Sequence, residues 1–153
     1  MRSDISVRQA TRADIPKIVS WQVAMALETE SMRLDTAIVL KGVTRVFDDP
    51  AIGYYLIGEK DRAASASMLV LSEWSDWRAG FVLWLHSVYV EVSARNSGVF
   101  QALYNEVRNR VEADPDLKGI RLYVDKTNQH AGNVYQRCGM SRDHYDLFEW
   151  MKA

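Results

Sequence analysis

Only one residue in 153 is a cysteine, Cys138, which excludes an intrachain disulfide and a cysteine-cluster zinc site. Charge of one sign is equally scarce. Nineteen basic and 20 acidic residues give a formal net charge of -1, which argues against a nucleic-acid binder working by bulk charge. A local basic pocket for a phosphorylated small molecule stays open. Long hydrophobic runs are missing: none approaches the roughly 20 residues needed to cross a bilayer. The opening MRSDISVRQA lacks the apolar stretch of a signal peptide. We therefore expect a cytoplasmic protein with no membrane partner. Repeats, low-complexity tracts and linkers are also lacking. What is present, 48% hydrophobic and 25% charged residues, suits one domain over 1–153 with one sizeable core.

The pattern along the chain alternates between strand and helix. Ile5 to Thr11 reads as a first strand. A helix follows, capped by Thr11 or Asp14, with Pro16 in its first turn and Ile15, Ile18, Val19, Val23, Ala26 and Leu27 as its buried stripe. Asp35 opens a second helix with Val39, Val43, Val46 and Phe47 on one side, and Asp48-Asp49-Pro50 ends it. Ile52–Glu59, Ala64–Trp74 and Phe81–Val92 read as three strands of an antiparallel meander, the first two joined at Lys60-Asp61-Arg62. A helix over Ser97–Glu112, with Phe100, Leu103, Val107 and Val111 at helical spacing, leads to a strand over Gly119–Asp125. That order implies a right-handed parallel crossover. A short helix, Asn128–Cys138, and a last strand over His144–Met151 close the chain. The sum is a mixed α/β (α+β) fold, one sheet with helices on both faces.

Two stretches carry chemistry. In VYVEVSARNSGVFQALY, Val88 to Tyr104, a strand passes through Arg-Asn-Ser-Gly straight into a helix. A helix start leaves its first amides unpaired and partly positive, so it suits a phosphate or pyrophosphate. Gly98 lets backbone approach a ligand, Asn96 or Ser97 can cap, and Arg95 adds a cation. A purely structural turn carries the same residues, so this stretch alone does not decide. In NQHAGNVYQRCGM, Asn128, Ala131, Tyr135 and Gly139 share one helix face. Asn128 can cap that helix and Gly139 can end it.

Together the two stretches resemble the GNAT superfamily of N-acetyltransferases. Its acyl-CoA turn, Arg or Gln, two residues, Gly, one residue, then Gly or Ala, is matched at Arg95 and Gly98, with Phe100 at the last position. Its second pattern is matched at Asn128, Ala131, Tyr135, Gly139 and Met140. The register of Phe100 with Leu103 and Val107 predicts that its ring turns into the core. The resemblance implies a central mixed sheet of six to seven strands with about four helices. It implies acetyl-CoA as co-substrate, no metal, and an amine acceptor from a small molecule or peptide. Val88 and Val90 would pair by backbone with the pantetheine arm. The amides of Asn96, Ser97, Gly98, Val99 and Phe100, with Arg95, would hold the pyrophosphate. Asn128 would reach the pantetheine, its capping role being the rival explanation.

Acetyl transfer needs a neutral amine, a polarised carbonyl and a protonated leaving thiolate. Tyr135 corresponds to the family tyrosine that serves as general acid, and a phenol with pKa near 10 is protonated at neutral pH, with a buried tyrosine bonded to backbone as the alternative. Strand alternation puts Trp84, His86, Val88 and Val90 on one face. His86, with an ordinary pKa near 6.5, is then a candidate base, with an idle half-buried histidine as the alternative. The resemblance implies that the first two helices and their connection wall the acceptor pocket; Glu28 and Glu30, read as lying in that connection, with Trp74, Asp76, Trp77 and Trp84, form a candidate cation pocket for the acceptor. A solvated helix end and a tryptophan-rich hairpin would look the same. Five tryptophans and an open sheet edge also permit a homodimer. The rival function is a non-catalytic acyl-CoA-binding or regulatory module.

Overall fold

A computed structural model describes residues 2–153. Strand β1 (Ile5–Gln9) leads through a short 3-10 turn into helix α1 (Ile15–Glu30). Thr11 and Asp14 share the start of that passage. The Asp14 carboxylate accepts from the Thr11 amide at 2.8 Å and is gripped by Arg8 at 2.8 and 2.9 Å. Pro16 lies in the first turn of α1, where its missing N–H costs nothing. Helix α2 (Thr36–Asp48) is capped by the Asp35 side chain, which accepts from the Ala37 amide at 2.9 Å.

Strands β2 (Gly53–Lys60), β3 (Ala63–Ser75) and β4 (Gly80–Val90) form the expected antiparallel meander. Asp61 and Arg62 both have positive φ, 52° and 67°, as a two-residue hairpin turn requires. Helix α3 (Val99–Ala113) then crosses over to β5 (Leu117–Leu122), which lies parallel to β4. The sheet order is β1-β2-β3-β4-β5.

Neighbouring residues of β2 show how the two faces are filled. Ile57 joins the apolar cluster of α1 and α2 with Ile15, Ile18, Val19, Trp21, Val43, Val46 and Tyr55. Gly58, pointing the other way, meets α3: a Cβ there would lie 2.6 Å from Val99 Cγ1. Val99, Leu103 and Val107 of α3 are fully buried. Helices therefore cover both faces, as the periodicity predicted. The buried stripe of α1 includes Trp21 and Gln22 and leaves Leu27 half exposed, because α1 packs against β4 as well as α2.

The chain divides into two units, one running to Leu122 and one over Tyr123–Ala153. In the second unit helix α4 (Gln129–Arg137) is capped by Asn128, whose side chain accepts from the Ala131 amide at 3.1 Å. It ends on Gly139 (φ 88°), with Met140 N–H donating to Tyr135 O and Gly139 N–H to Gln136 O, at 3.1 and 3.0 Å.

Among the described residues the sheet has five strands, not six to seven. The strand expected over His144–Met151 is absent among the described residues. Leu147-Phe148 and Trp150-Met151 place apolar side chains side by side in sequence, which breaks the two-residue alternation a half-buried strand needs. Phe148, Trp150 and Met151 are instead exposed. The strand expected over Gly119–Asp125 starts earlier, at Leu117, and stops at Leu122. Among the described residues no helix is long and apolar enough to cross a membrane.

Candidate active site

The centre of interest is the distal half of β4. Its register against β3 runs Leu69 opposite His86, then Ser67 opposite Tyr89. Met68 thus faces two residues, Ser87 and Val88, and the strand carries a β-bulge. Ser87 takes φ 53°, unusual for a non-glycine residue. The extra residue reverses the alternation. His86 lies opposite Leu69 and Tyr89 opposite Ser67, on the α1/α2 face, whereas Val90 lies opposite Ala66 on the α3 face. The expectation that Trp84, His86, Val88 and Val90 share one face is therefore corrected: Trp84 and His86 do, and Val90 does not.

Helix α1 braces this bulge. Gln22, 7% exposed, donates from Nε2 to the Ser87 carbonyl at 3.1 Å. One residue earlier, Trp21 Nε1 donates to Glu91 at 3.0 Å, and Lys17 lies 3.8 Å from the same carboxylate. Sequence reasoning missed both braces. The available signal was a glutamine four residues from Ile18 and four from Ala26, a polar side chain on an apolar stripe.

The pairing of β4 with β5 ends at Leu85–Leu122. Among the described residues no β5 position is in register with Val88–Val90, so β4 presents a strand edge there. Beyond the edge a 3-10 turn (Val92–Ala94) leads to Arg95, then Asn96 at φ 59° and Gly98 at φ 94°. Space does not demand the glycine, since a Cβ would meet only Ile5 Cδ1 at 3.6 Å; the left-handed backbone does. The Ser97 hydroxyl donates to the Ala94 carbonyl, and Ala102 N–H donates to Gly98 O at 3.0 Å, closing the first turn of α3. Val99 is the core residue of that turn. Phe100 is half-buried, stacked near Tyr104 at 6.4 Å, so the inward residue is one place earlier than the sequence suggested.

Two predicted site residues from different roles are joined. Arg95 donates both terminal nitrogens to the Glu28 carboxylate at 2.5 and 2.9 Å, donates from Nε to Val90 O at 3.0 Å, and lies over the Tyr89 ring at 5.6 Å. This bidentate contact holds Glu28 below its ordinary pKa and Arg95 above its own. Glu28 and Glu30 lie in the last turn of α1, not in a loop, and Glu30 is exposed. His86 stacks on Trp84 at 6.0 Å, and burial lowers its pKa, which keeps the imidazole neutral at physiological pH.

The remaining tryptophans lie elsewhere. Trp74 is opposite Phe81 and packs edge-on against it at 5.1 Å. Phe81 is five residues before His86, about 17 Å along the strand. Trp77, 89% exposed, sits at the tip of the same hairpin, where its amide donates to Asp76 at 2.9 Å. Trp74 and Trp77 therefore do not gather with Trp84 and His86.

In the second unit, Tyr135 is half-buried on α4. Burial, then the nearby Cys138 thiol, raise its pKa, so the phenol stays protonated. Asn128 is engaged as the cap of α4, the rival role foreseen for it. Among the described residues no group of three His, Cys, Asp or Glu side chains gathers as a metal site.

Residues 15–140 match the model of the acetyltransferase (GNAT) family. The chain belongs to that family. Members use acetyl-CoA as co-substrate for acetyl transfer. This GNAT chain is 34% identical to a solved possible acetyltransferase from Clostridium difficile 630, with TM-score 0.90 over 97% of this chain and 98% of that one. Two more distant structures share the fold. A ribosomal-protein-alanine N-acetyltransferase from Brucella melitensis biovar Abortus 2308 is 11% identical, with TM-score 0.78 over 97% and 100% of the two chains. A glucosamine-6-phosphate N-acetyltransferase from Arabidopsis thaliana is 13% identical, with TM-score 0.72 over 97% and 99%. No curated protein matches the GNAT chain in sequence.

Proposed function

We propose that the protein transfers the acetyl group of acetyl-CoA to a primary amine of a small molecule or peptide. The observation that carries this reading is the run of β4 from a bulged open edge into a turn with two left-handed residues and a helix start. An extended pantetheine arm can add to such an edge as a strand would. Its pyrophosphate suits the amides over Asn96–Phe100 at the positive end of α3, with Arg95 beside them. Asn128 is proposed to reach the pantetheine while capping α4.

In the proposed reaction the amine nitrogen attacks the thioester carbon, polarised by backbone N–H groups near Val88 and Val90. The C–N bond forms and the C–S bond breaks. His86, directly or through water, takes the proton lost by the amine, and Tyr135 gives its phenolic proton to the leaving sulfur. Glu28, Glu30 and Trp84 are the candidates for holding the acceptor cation. The fold neighbours act, by their names, on an amino sugar phosphate and on a protein alanine, so both acceptor classes suit this architecture.

The test is thiol release from acetyl-CoA with a panel of amines, paired with calorimetry. Tyr135→Phe is expected to lower kcat by about 10²–10⁴-fold, the size of one acid–base contribution, with coenzyme affinity retained. Unchanged turnover overturns the acid assignment. Coenzyme binding by the wild type without transfer to any amine favours the non-catalytic module.

A further inference from the structure

The Arg95–Glu28 pair ties the turn before α3 to the last turn of α1 across 67 residues of sequence. Three of the five guanidinium N–H groups are engaged, one on Val90 O and two on the Glu28 carboxylate. The face of the group lies over Tyr89. A second anion placed on the outer N–H groups would sit close to the Glu28 carboxylate and be repelled by it. The two side chains are 36% and 43% exposed, so water screens the pair and leaves it open to exchange. Beyond Glu30 the chain turns through Ser31, at φ 51°, and has no regular structure until α2.

We infer that Glu28 occupies Arg95 in place of a coenzyme phosphate, so that coenzyme binding displaces Glu28 and unlatches the end of α1. The inference rests on the coenzyme site proposed above and adds an order of events to it. While Arg95 holds it, the Glu28 carboxylate is neutralised and offers no net charge to a cationic amine. When the pyrophosphate takes the guanidinium, the carboxylate is set free beside β4. The acceptor-binding charge thus becomes available only after the acyl donor has arrived.

The test uses Glu28→Gln, with coenzyme A and pantetheine as separate calorimetric probes. Glu28→Gln is expected to tighten coenzyme A by about two- to fivefold, the span of an exposed ion pair. Pantetheine, which lacks the phosphates, is expected to bind both forms equally. In the wild type, hydrogen exchange over residues 27–34 is expected to quicken when coenzyme A binds; in Glu28→Gln it is already fast in the free protein. Weaker or unchanged coenzyme A binding by Glu28→Gln overturns the latch, as does an equal shift for pantetheine. If the wild type binds no coenzyme A at all, the coenzyme site itself falls, a result distinct from failure of the latch alone.

Discussion

Replacing Gln22 by methionine removes one hydrogen bond while keeping shape and volume nearly constant. In the wild type, Gln22 Nε2 holds the Ser87 carbonyl at 3.1 Å from a side chain that is 7% exposed. The methionine thioether cannot donate, so the carbonyl at the bulge loses its side-chain donor. A partly buried acceptor left in this way costs about 1–2 kcal/mol. For 153 residues, unfolding entropy is about 0.32 kcal/mol/K near the midpoint, so the expected fall in Tm is about 3–6 °C. The bulge has a second stake in the residue, because Ser87 is held at φ 53° against its intrinsic preference. Released, it relaxes toward ordinary strand geometry and moves the Val88–Val90 edge. Weaker coenzyme A binding is therefore expected beside the lower Tm. Scanning calorimetry and titration of the same sample check both. A Tm within 1 °C of wild type together with unaltered coenzyme affinity would refute the claim that Gln22 holds the bulge.

Gly58→Ala should disturb the turn from the opposite face: the new methyl would lie 2.6 Å from Val99 Cγ1, so overpacking of about 1–3 kcal/mol is expected, read as a lower denaturation midpoint with weakened coenzyme binding. Burial lowers the pKa of His86, so the unfolded chain binds its proton more readily than the folded one. Its stabilising contribution is complete above pH 6.5 and is lost as pH falls from there through the lower folded pKa; His86→Gln should flatten that part of a stability–pH curve. If His86 is the base, kcat/KM should fall over the same acid limb in the wild type, and a limb that survives His86→Gln would assign it to another group.

The helices were largely legible because their ends carry short-range chemistry. Asp35, Asn128, Pro16 and Gly139 each act within four residues of their place in the chain. The meander was legible for the same reason, through Asp61-Arg62 and the alternation of β3. The bulge was not: Ser87 looks like any other small residue in a strand, and its positive φ follows from contacts with Met68 and Gln22 on other elements. On α3 Leu103 and Val107 are buried as read, and only Phe100 was misjudged, because the choice of Val99 in its place is made by Gly58, more than 40 positions away. Glu28 and Arg95 were each read as candidate site residues, but their pairing depends on packing that no local pattern records. The C-terminal segment was over-read, since aromatic richness alone does not make a strand without consistent alternation.

Because of its one supernumerary residue, β4 is written in two frames. Up to His86, even-numbered positions look toward one layer of helices; after Val88, odd-numbered ones do. A deletion at Ser87 would consequently merge the frames without moving either end: Val88 alone would face Met68, the Tyr89 ring would keep its layer and its place under Arg95, and only the bulge with the carbonyl that Gln22 holds would vanish.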